Sequence, residues 1–352
     1  MEQKLWLPVV LVVGLALLAA APAQSSNHDF YKGKTIRFVV GFAAGGGYDT
    51  YTRIIARHVG KHVAGNPSAV VENMEGAGSM IAANTLYRNT APDGFTVGIF
   101  NSALVLRQAL GDRAARFDAG EFGWIGAPSV GLPSCAVMGF TGLKTLDEII
   151  NSKRELKMGS TRPGATTDDL PRILNLTVGT KLDVISGYTG TSPIRIALQR
   201  REVEGICFGW ESMRTTGKAM LDAKGDDKLI PFITHGKSED PEVQDLPRLR
   251  DTVKAKAGSD GLAILNAWLP QYEFQRPFSV PPKTPRDRLA ILRKAFKATL
   301  EDPEFQNEAK RSKLLITHVA GEEIEKLAAT ILATPTKAKQ KLTFLVPKKG
   351  QK

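Results

Sequence analysis

Residues 35–59 read TIRFVVGFAAGGGYDTYTRIIARHV, and this stretch decides the predicted fold. It opens with Thr35–Phe42, a run of β-branched and aromatic residues that is typical of a buried strand. Three glycines follow, Gly45–Gly47, and beyond them apolar side chains recur at spacings of three and four, which predicts an amphipathic helix. A strand, a glycine-rich turn and a helix in this order indicate an α/β fold.

The same alternation continues along the chain and predicts mainly parallel strands. Further strands are predicted at Ala69–Glu72, Thr96–Phe100, Ser134–Gly139, Lys157–Ser160, Leu182–Ser186, Val203–Phe208 and Leu229–Thr234. The C-terminal third is predicted to be mostly helical. The recurrence of similar turns in both halves favours two α/β halves that face each other across a cleft.

Four turns rich in glycine, serine and threonine precede predicted helices. They read FAAGGGYD (42–49), NMEGAGSM (73–80), GSTRPGATTDD (159–169) and GYTGTSPI (187–194). Glycines let backbone N–H groups approach a ligand closely, and a helix N-terminus adds about half a positive charge. Such turns at the carboxyl ends of strands can bind a carboxylate or phosphate, although each could also be a plain connection.

Length and composition narrow the class of protein. The 352 residues correspond to about two domains, and 42% hydrophobic with 24% charged residues is ordinary for a globular chain. Two cysteines exclude a disulfide-rich scaffold, a zinc ribbon and an iron–sulfur site with a full cysteine set. The net charge of +11 is compatible with nucleic acid, anionic surfaces or small acidic ligands, and does not choose among them.

The N-terminus predicts export. Leu5–Ala23 is almost entirely apolar and ends in the A-x-A pattern Ala21–Ala23, which is typical of a secretory signal peptide cleaved after Ala23. The alternative is an uncleaved anchor, because 19 residues could just span a bilayer. We therefore expect residues 1–23 to be a signal peptide and the mature chain to be an exported, soluble protein.

Catalytic and cofactor motifs are scarce. The chain has neither a G-x-x-x-x-G-K-[ST] phosphate loop nor a G-x-S-x-G elbow, and Ile81 breaks the dinucleotide fingerprint that begins at Gly76. His58 and His62 have metal-compatible spacing, but His58 falls on the apolar stripe of its helix and no Glu follows it. We expect no enzyme activity, no cofactor and no metal.

Longer motifs carry a resemblance to a known family. The segments FVVGFAAGGGYD and VVENMEGAGSMIAANTLYRNTAPDGFTV resemble the opening of Bug-type solute-binding proteins, the extracytoplasmic receptors of tripartite tricarboxylate transporters. Gly41 stands where the family has Pro, and Phe95 where it has Tyr. The second half continues the resemblance, which covers roughly residues 30–345.

The resemblance implies a two-lobed type II periplasmic-binding-protein fold of the Venus-flytrap kind. Lobe I would comprise residues 30–128 plus 241–352, and lobe II residues 129–240. It also implies a receptor that binds a small organic carboxylate between the lobes and delivers it to an integral-membrane permease. We expect a monomer without a nucleic-acid partner.

The ligand is expected at the turns of both lobes. The predicted ligand-binding residues are Phe42, Gly45, Gly46, Gly47, Asp49, Asn101, Ser102, Ser160, Thr161, Gly164, Thr166, Tyr188, Gly190 and Thr191. Because Arg162 is the only cation in these turns and Arg195 the nearest outside, backbone N–H groups and hydroxyls should hold the carboxylate. Asp49 would then accept N–H bonds as a helix N-cap or hold a bridging water.

Alternatives remain at this point. The same receptor could report its ligand to a membrane kinase, or the chain could be a secreted α/β enzyme acting on small acids. Cys135 and Cys207 lie in predicted strands of lobe II. They could form a disulfide in an oxidising compartment or remain two buried thiols.

Overall fold

A computed structural model describes residues 30–236 and 240–346. The predicted signal peptide, residues 1–23, lies outside the described residues. The strands are β1 (Thr35–Val40), β2 (Ser68–Asn73), β3 (Thr96–Ile99), β4 (Gly123–Ala127), β5 (Pro133–Met138), β6 (Leu156–Ser160), β7 (Leu182–Ser186), β8 (Gly205–Gly209), β9 (Leu229–Thr234), β10 (Phe278–Val280) and β11 (Val319–Ala320). All the predicted strands are present, with ends displaced by at most two residues.

Helices cover both sheets and fill the C-terminal third, as predicted. They are α1 (Gly47–Val59), α2 (Met80–Asn89), α3 (Ala103–Ala109), α4 (Leu146–Ile150), α5 (Thr166–Val178), α6 (Thr191–Gln199), α7 (Trp210–Thr215), α8 (Lys218–Leu221), α9 (Leu249–Trp268), α10 (Arg286–Glu301), α11 (Pro303–Arg311), α12 (Gly321–Leu332) and α13 (Thr336–Lys341). Helix α1 buries Tyr51, Ile54, Ile55 and Val59 against the first sheet, which is the stripe that the sequence indicates.

The strands form two separate sheets, one in each lobe. The sheet of lobe I has the order β11-β4-β10-β3-β1-β2, and the sheet of lobe II has the order β7-β6-β8-β5-β9. The predicted two-lobed α/β fold is therefore confirmed. The residue boundaries given above for the lobes stay a prediction.

The expectation of mainly parallel strands is only half right. Pairs β1–β2, β1–β3, β6–β7 and β6–β8 are parallel, as βαβ connections require. Strands β10 and β11 pair antiparallel in lobe I, and β5 pairs antiparallel with both β8 and β9 in lobe II. The reason is topological. Strand β5 enters its sheet directly from lobe I, and β10 and β11 join their sheet from far along the chain, so none of these pairs is formed by a βαβ connection.

Two crossing segments join the lobes and pair with each other. The chain leaves lobe I after β4 and returns to it through residues 269–277, which follow α9 and precede β10. The Gln275 N–H donates to the Ser129 carbonyl at 2.9 Å, and the Gly131 N–H donates to the Tyr272 carbonyl at 2.6 Å. We call this short antiparallel contact, between residues 129–131 and 272–276, the hinge. It lies at the base of the cleft between the lobes.

A disulfide links two central strands of lobe II. Cys135 on β5 faces Cys207 on β8, and the two form a disulfide bond. Both residues are fully buried among the apolar side chains of the lobe. Of the two alternatives that the sequence leaves open, the structure has the bridged one.

The disulfide should contribute strongly to stability. Its half-cystines are 72 residues apart, and closing a loop of that length in the unfolded chain is worth about 4 kcal/mol in the chain-entropy view. We therefore expect Cys135→Ala/Cys207→Ala to lose a large part of that amount in the free energy of unfolding, measured by urea titration. An unchanged free energy of unfolding in the double variant would contradict this prediction.

Candidate functional site

A small cavity lies between the lobes, directly above the hinge. Side chains and backbone from lobe I, lobe II and the hinge all line it. The lining residues are Phe42, Gly46, Gly47, Tyr48, Asn101, Thr161, Ala165, Thr166, Thr167, Thr191, Phe208, Gly209, Ser212, Gln275 and Arg276. A concave site at the carboxyl ends of the strands of two α/β halves is where a small ligand is expected.

The lobes touch on both sides of the cavity, so the cleft is closed. On one side, Arg195 Nη2 of lobe II donates to the Gly45 carbonyl of lobe I at 3.0 Å. On the other side, Arg107 Nη1 of lobe I donates to the Pro163 carbonyl of lobe II at 2.6 Å. Gly164 permits this second contact, because its φ is +90° and a Cβ there would lie 2.0 Å from Arg107 Cδ.

The N-terminus of α1 forms the wall on the side of lobe I. Gly46 is its N-cap residue, and no side chain caps the helix, so the N–H groups of its first turn are left for a ligand. Gly47 is required by close packing, because a Cβ at this position would lie 2.2 Å from Ser212 Oγ. The triple glycine therefore exposes the backbone of the helix N-terminus to the cavity.

Asp49 has a different role from the predicted N-cap. It lies in the first turn of α1, where Oδ2 accepts from the Gly45 N–H at 2.9 Å and Oδ1 pairs with Arg53 Nε at 2.9 Å. Burial raises the pKa of Asp49, but hydrogen bonds from Arg53, Gly45 and Asn73 outweigh burial and hold the pKa below its usual value. Its charge is therefore compensated behind the cavity rather than directed at a ligand.

Helix α5 brings a second N-terminus to the cavity from lobe II. Ala165 is its N-cap residue without a side-chain cap, and Thr166 and Thr167 follow it. Asp168, in the same first turn, pairs with Arg172 Nε at 2.6 Å. This pair repeats the arrangement of Asp49 and Arg53, so an arginine four residues on compensates the acid in each of the two helices.

Helix α6 supplies a third N-terminus. Its N-cap residue is Gly190, again without a side-chain cap, and Thr191 at its first position lines the cavity. Each of the three helices has at least nine residues and carries a partial positive charge at its N-terminus. Together they create a region that favours an anion.

Arg276 is a cation that sequence reasoning missed, and it corrects the expectation that Arg162 alone brings positive charge to the site. Arg276 is 2% exposed and pairs through Nη1 with Glu211 Oε1 at 3.0 Å. Its guanidinium carbon lies 4.4 Å from the ring centroid of Tyr51 and 5.6 Å from that of Tyr48. Burial lowers the pKa of Arg276, but Glu211 and the tyrosines raise it further, so the guanidinium stays charged.

The predicted ligand-binding residues fall into two groups. Those that line the cavity are Phe42, Gly46, Gly47, Asn101, Thr161, Thr166 and Thr191. Gly45, Asp49, Ser102, Ser160, Gly164, Tyr188 and Gly190 lie behind or beside it. Several of these hold the lining in place: Ser102 Oγ accepts from Gln275 Nε2 at 2.9 Å, and Ser160 Oγ donates to Asp168 Oδ2 at 3.1 Å.

The lining residues that sequence reasoning missed belong to three places. They are Tyr48, Ala165 and Thr167 within predicted turns, Phe208, Gly209 and Ser212 at the end of β8 and in α7, and Gln275 and Arg276 in the hinge. The residues at the end of β8 and in α7 could have been found from the rule that ligands bind at the carboxyl ends of strands, because β8 is a further strand to which the rule applies. The hinge residues carry no comparable signal, because no pattern in the sequence shows where the chain crosses between lobes.

His58 of α1 and His62, just beyond the end of α1, each contact an acidic side chain. His58 Nε2 lies 2.7 Å from Glu308 Oε2, and His62 Nε2 lies 2.9 Å from Asp302 Oδ2. His58, Asp302 and Glu304 are close enough to share an ion, but the ammonium of Lys61 already contacts both acids at 2.9 and 2.6 Å. Lys61, Asp302 and Glu304 form a salt-bridge network between the residues just after α1 and the start of α11.

Comparison with curated proteins finds two relatives, and a search for matching family models finds none. A UPF0065 protein from Agrobacterium vitis is 26% identical over 255 residues, which are 66% of this chain and 69% of that protein. A UPF0065 protein from Cupriavidus necator is 41% identical over 80 residues. This match covers 23% of this chain and 23% of the length of the Cupriavidus necator protein.

Solved structures with the same fold are periplasmic binding proteins. The periplasmic binding protein BugD matches with a TM-score of 0.71 and 20% identity, covering 90% of this chain and 98% of BugD. MatC from Rhodopseudomonas palustris, with bound malate, has a TM-score of 0.69 and 20% identity, covering 88% of this chain and 99% of MatC. An R. palustris protein with adipate has a TM-score of 0.69 and 19% identity, covering 88% and 97%.

These findings confirm the resemblance to Bug-type solute-binding proteins and the two-lobed fold of periplasmic binding proteins. The structural neighbours are binding proteins rather than enzymes. Within residues 30–236 and 240–346, none of the helices combines the length and the apolar character that crossing a bilayer requires.

Asp169 supports the wall of the cavity from behind. Its Oδ1 accepts from the Gly164 N–H at 2.8 Å, and its Oδ2 accepts from Trp268 Nε1 at 3.2 Å. Complete burial, together with the neighbouring Asp168 carboxylate, raises the pKa of Asp169 to about 7. The folded protein therefore takes up a proton at Asp169 in a pH range where the unfolded chain does not.

This difference predicts a pH-dependent stability. Because the folded-state pKa lies above the unfolded value of about 4, Asp169 should lose stabilisation as the pH rises from about 4 to about 7. Asp169→Asn removes that titration. The free energy of unfolding of wild type minus that of the variant should therefore be larger at pH 5 than at pH 8. Urea titrations at both values measure it, and a difference that stays constant or grows with pH would contradict the assignment.

Proposed function

We propose that this protein is a periplasmic receptor that binds a small organic carboxylate in its cleft and delivers it to a membrane permease of the tripartite tricarboxylate type. The observation that carries this proposal is the convergence of three uncapped helix N-termini, from both lobes, on one closed cavity. Backbone N–H groups at such positions are donors without partners in their own helix, and the helix field favours negative charge. A carboxylate supplies both the acceptors and the charge.

The side chains of the site support an anion as well. Thr191, Ser212 and Asn101 offer hydroxyl or amide groups to the cavity, and Arg276 lies at its base. The first-turn acids Asp49 and Asp168 would repel an anion if they were unpaired, but Arg53 and Arg172 compensate them. We therefore propose that backbone N–H groups and hydroxyls hold the carboxylate, with Arg276 as an additional neighbour.

Binding and closure are coupled in this proposal. The walls of the cavity come from two lobes, and the segment that joins them is a short pair of hydrogen-bonded strands. A ligand that contacts both walls binds the closed state better than the open one, so it shifts the population towards closure. The contacts of Arg195 with Gly45 and of Arg107 with Pro163 then hold the closed form.

The similarity to periplasmic binding proteins supports both location and transport role. MatC and the R. palustris protein with adipate carry small carboxylates, and we extend that class of ligand to this chain. Delivery to a permease and a monomeric state belong to the same proposal. An enzyme acting on small acids is less favoured, because Tyr48 and Arg276 are the ionisable side chains among the lining residues and they form no acid–base pair.

A thermal-shift screen tests the proposal directly. Purified protein is heated with each member of a panel of small mono-, di- and tricarboxylates and aromatic acids. A ligand present at 100 times its Kd should add about 2.7 kcal/mol to the stability of the folded protein and raise Tm accordingly. A panel in which no acid shifts Tm, or in which an acid is turned over chemically, would contradict the receptor function.

Thr191→Val tests the position of the ligand. Removal of the hydroxyl leaves a buried polar partner unpaired, which should weaken binding by about 1–3 kcal/mol, or roughly 5- to 150-fold in Kd by calorimetry. Thr336→Val is the matched control, because Thr336 is the first residue of the exposed helix α13, away from the cleft. Equal Kd values for wild type and Thr191→Val would place the ligand elsewhere.

A further inference from the structure

The charge balance of the cavity rests on one buried ion pair. Arg276 is the cationic residue among those that line the cavity. Glu211 lies at the start of α7, is 0% exposed, and is not among the lining residues. Its Oε1 accepts from Arg276 Nη1 at 3.0 Å, and its Oε2 accepts from the Leu132 N–H at 3.4 Å. The guanidinium therefore faces the ligand space with its formal charge already neutralised from behind.

Arg276 retains the ability to donate hydrogen bonds despite this neutralisation. Its Nη1 donates to Ser129 Oγ and Glu211, and its Nη2 donates to Ser212 Oγ at 2.7 Å. A guanidinium carries five N–H groups, and Nε has no partner among the described residues. With Glu211 paired to it, Arg276 therefore adds no net charge to the site.

We propose that Glu211, acting through Arg276, sets the charge of the ligand, so that the cavity selects a monocarboxylate with a neutral remainder over a dicarboxylate of the same size. This inference rests on the carboxylate-receptor function proposed above. It makes Glu211 a positioning residue for specificity that never touches the ligand. The proposal also narrows the expected ligands from small carboxylates in general to monocarboxylates.

The physical reason is the cost of a second buried charge. One carboxylate is matched by the N–H groups of α1, α5 and α6, which act as partial charges. A second carboxylate in the closed cavity would lose its hydration without meeting an uncompensated cation among the residues that line the cavity. Burying an unpaired ion is far more costly than burying a hydrogen-bonded neutral group. The rest of the lining, including Phe42, Tyr48 and Phe208, offers aromatic surface instead.

Glu211→Gln is the variant that separates charge from shape. The amide keeps the size of the side chain but leaves Arg276 with its full charge facing the cavity. Affinities are measured by calorimetry for three pairs of probes of equal length: succinate and succinamate, glutarate and glutaramate, and adipate and adipamate. The members of each pair differ only in one carboxylate, which is replaced by a carboxamide.

The expected result is a change in preference, not only in affinity. Wild type should bind the amide acid of the best pair more tightly than the diacid, and Glu211→Gln should shift that ratio towards the diacid by at least tenfold. Glu72→Gln is the matched control, because Glu72 pairs with Arg37 on the surface of lobe I, and it should leave the ratio unchanged. A merely structural role of Glu211 would weaken both members of a pair equally, which would overturn the inference.

A second variant keeps the test decisive if the unpaired guanidinium prevents folding. Arg276→Gln/Glu211→Gln removes both charges and should retain the preference for the amide acid. A double variant that instead prefers the diacid would overturn the inference, as would wild type that binds the diacids more tightly. Wild type that binds no member of any pair would contradict the proposed function itself, and this outcome is distinct from a reversed preference.

Discussion

The buried guanidinium of Arg276 holds together the parts of the molecule that meet at the cleft. It belongs to one crossing segment and donates to Ser129 of the other, it pairs with Glu211 of lobe II, and it lies against the ring of Tyr51 in lobe I. A buried charge is tolerated only when it is paired and hydrogen-bonded, so this arrangement restricts how hinge and lobes can sit around it. The base of the ligand cavity is therefore a rigid, neutralised polar surface.

The helices around this base share the same electrostatic arrangement. Helices α1, α5 and α6 direct uncapped N-termini at the cavity, and Asp49 of α1 and Asp168 of α5 are paired with arginines one turn later. This pairing keeps the helix starts acidic, which suits the helix dipole, without repelling an anionic ligand. Three partial charges from backbone groups can then hold a carboxylate with little loss of side-chain entropy.

Much of the fold could be predicted from the sequence, because buried parallel strands and amphipathic helices have strong periodic patterns. Strands β10 and β11 could not, since segments of three and two residues carry little periodicity and both join the sheet antiparallel from far along the chain. Strand β4 was missed as well, because glycines at two of its five positions weaken its strand pattern. The glycine-rich turns at the starts of α1, α5 and α6 lie in the cavity wall, and their part in ligand binding stays a prediction. The role of Asp49 was misjudged by one turn, because α1 begins at Gly47 rather than after Asp49.

The hinge residues Gln275 and Arg276 are the part of the site that sequence patterns miss, and in our proposal Arg276 with Glu211 sets the charge of the cavity. Nothing in residues 275–276 marks them as cavity lining, because their position follows from the return of the chain between the lobes. A crystal structure of the protein with a carboxylate ligand tests the account most directly. We expect the carboxylate oxygens within hydrogen-bond distance of backbone N–H groups at the starts of α1, α5 or α6, above Arg276. A ligand bound outside this cavity, or a carboxylate turned away from all three helix N-termini, would contradict it.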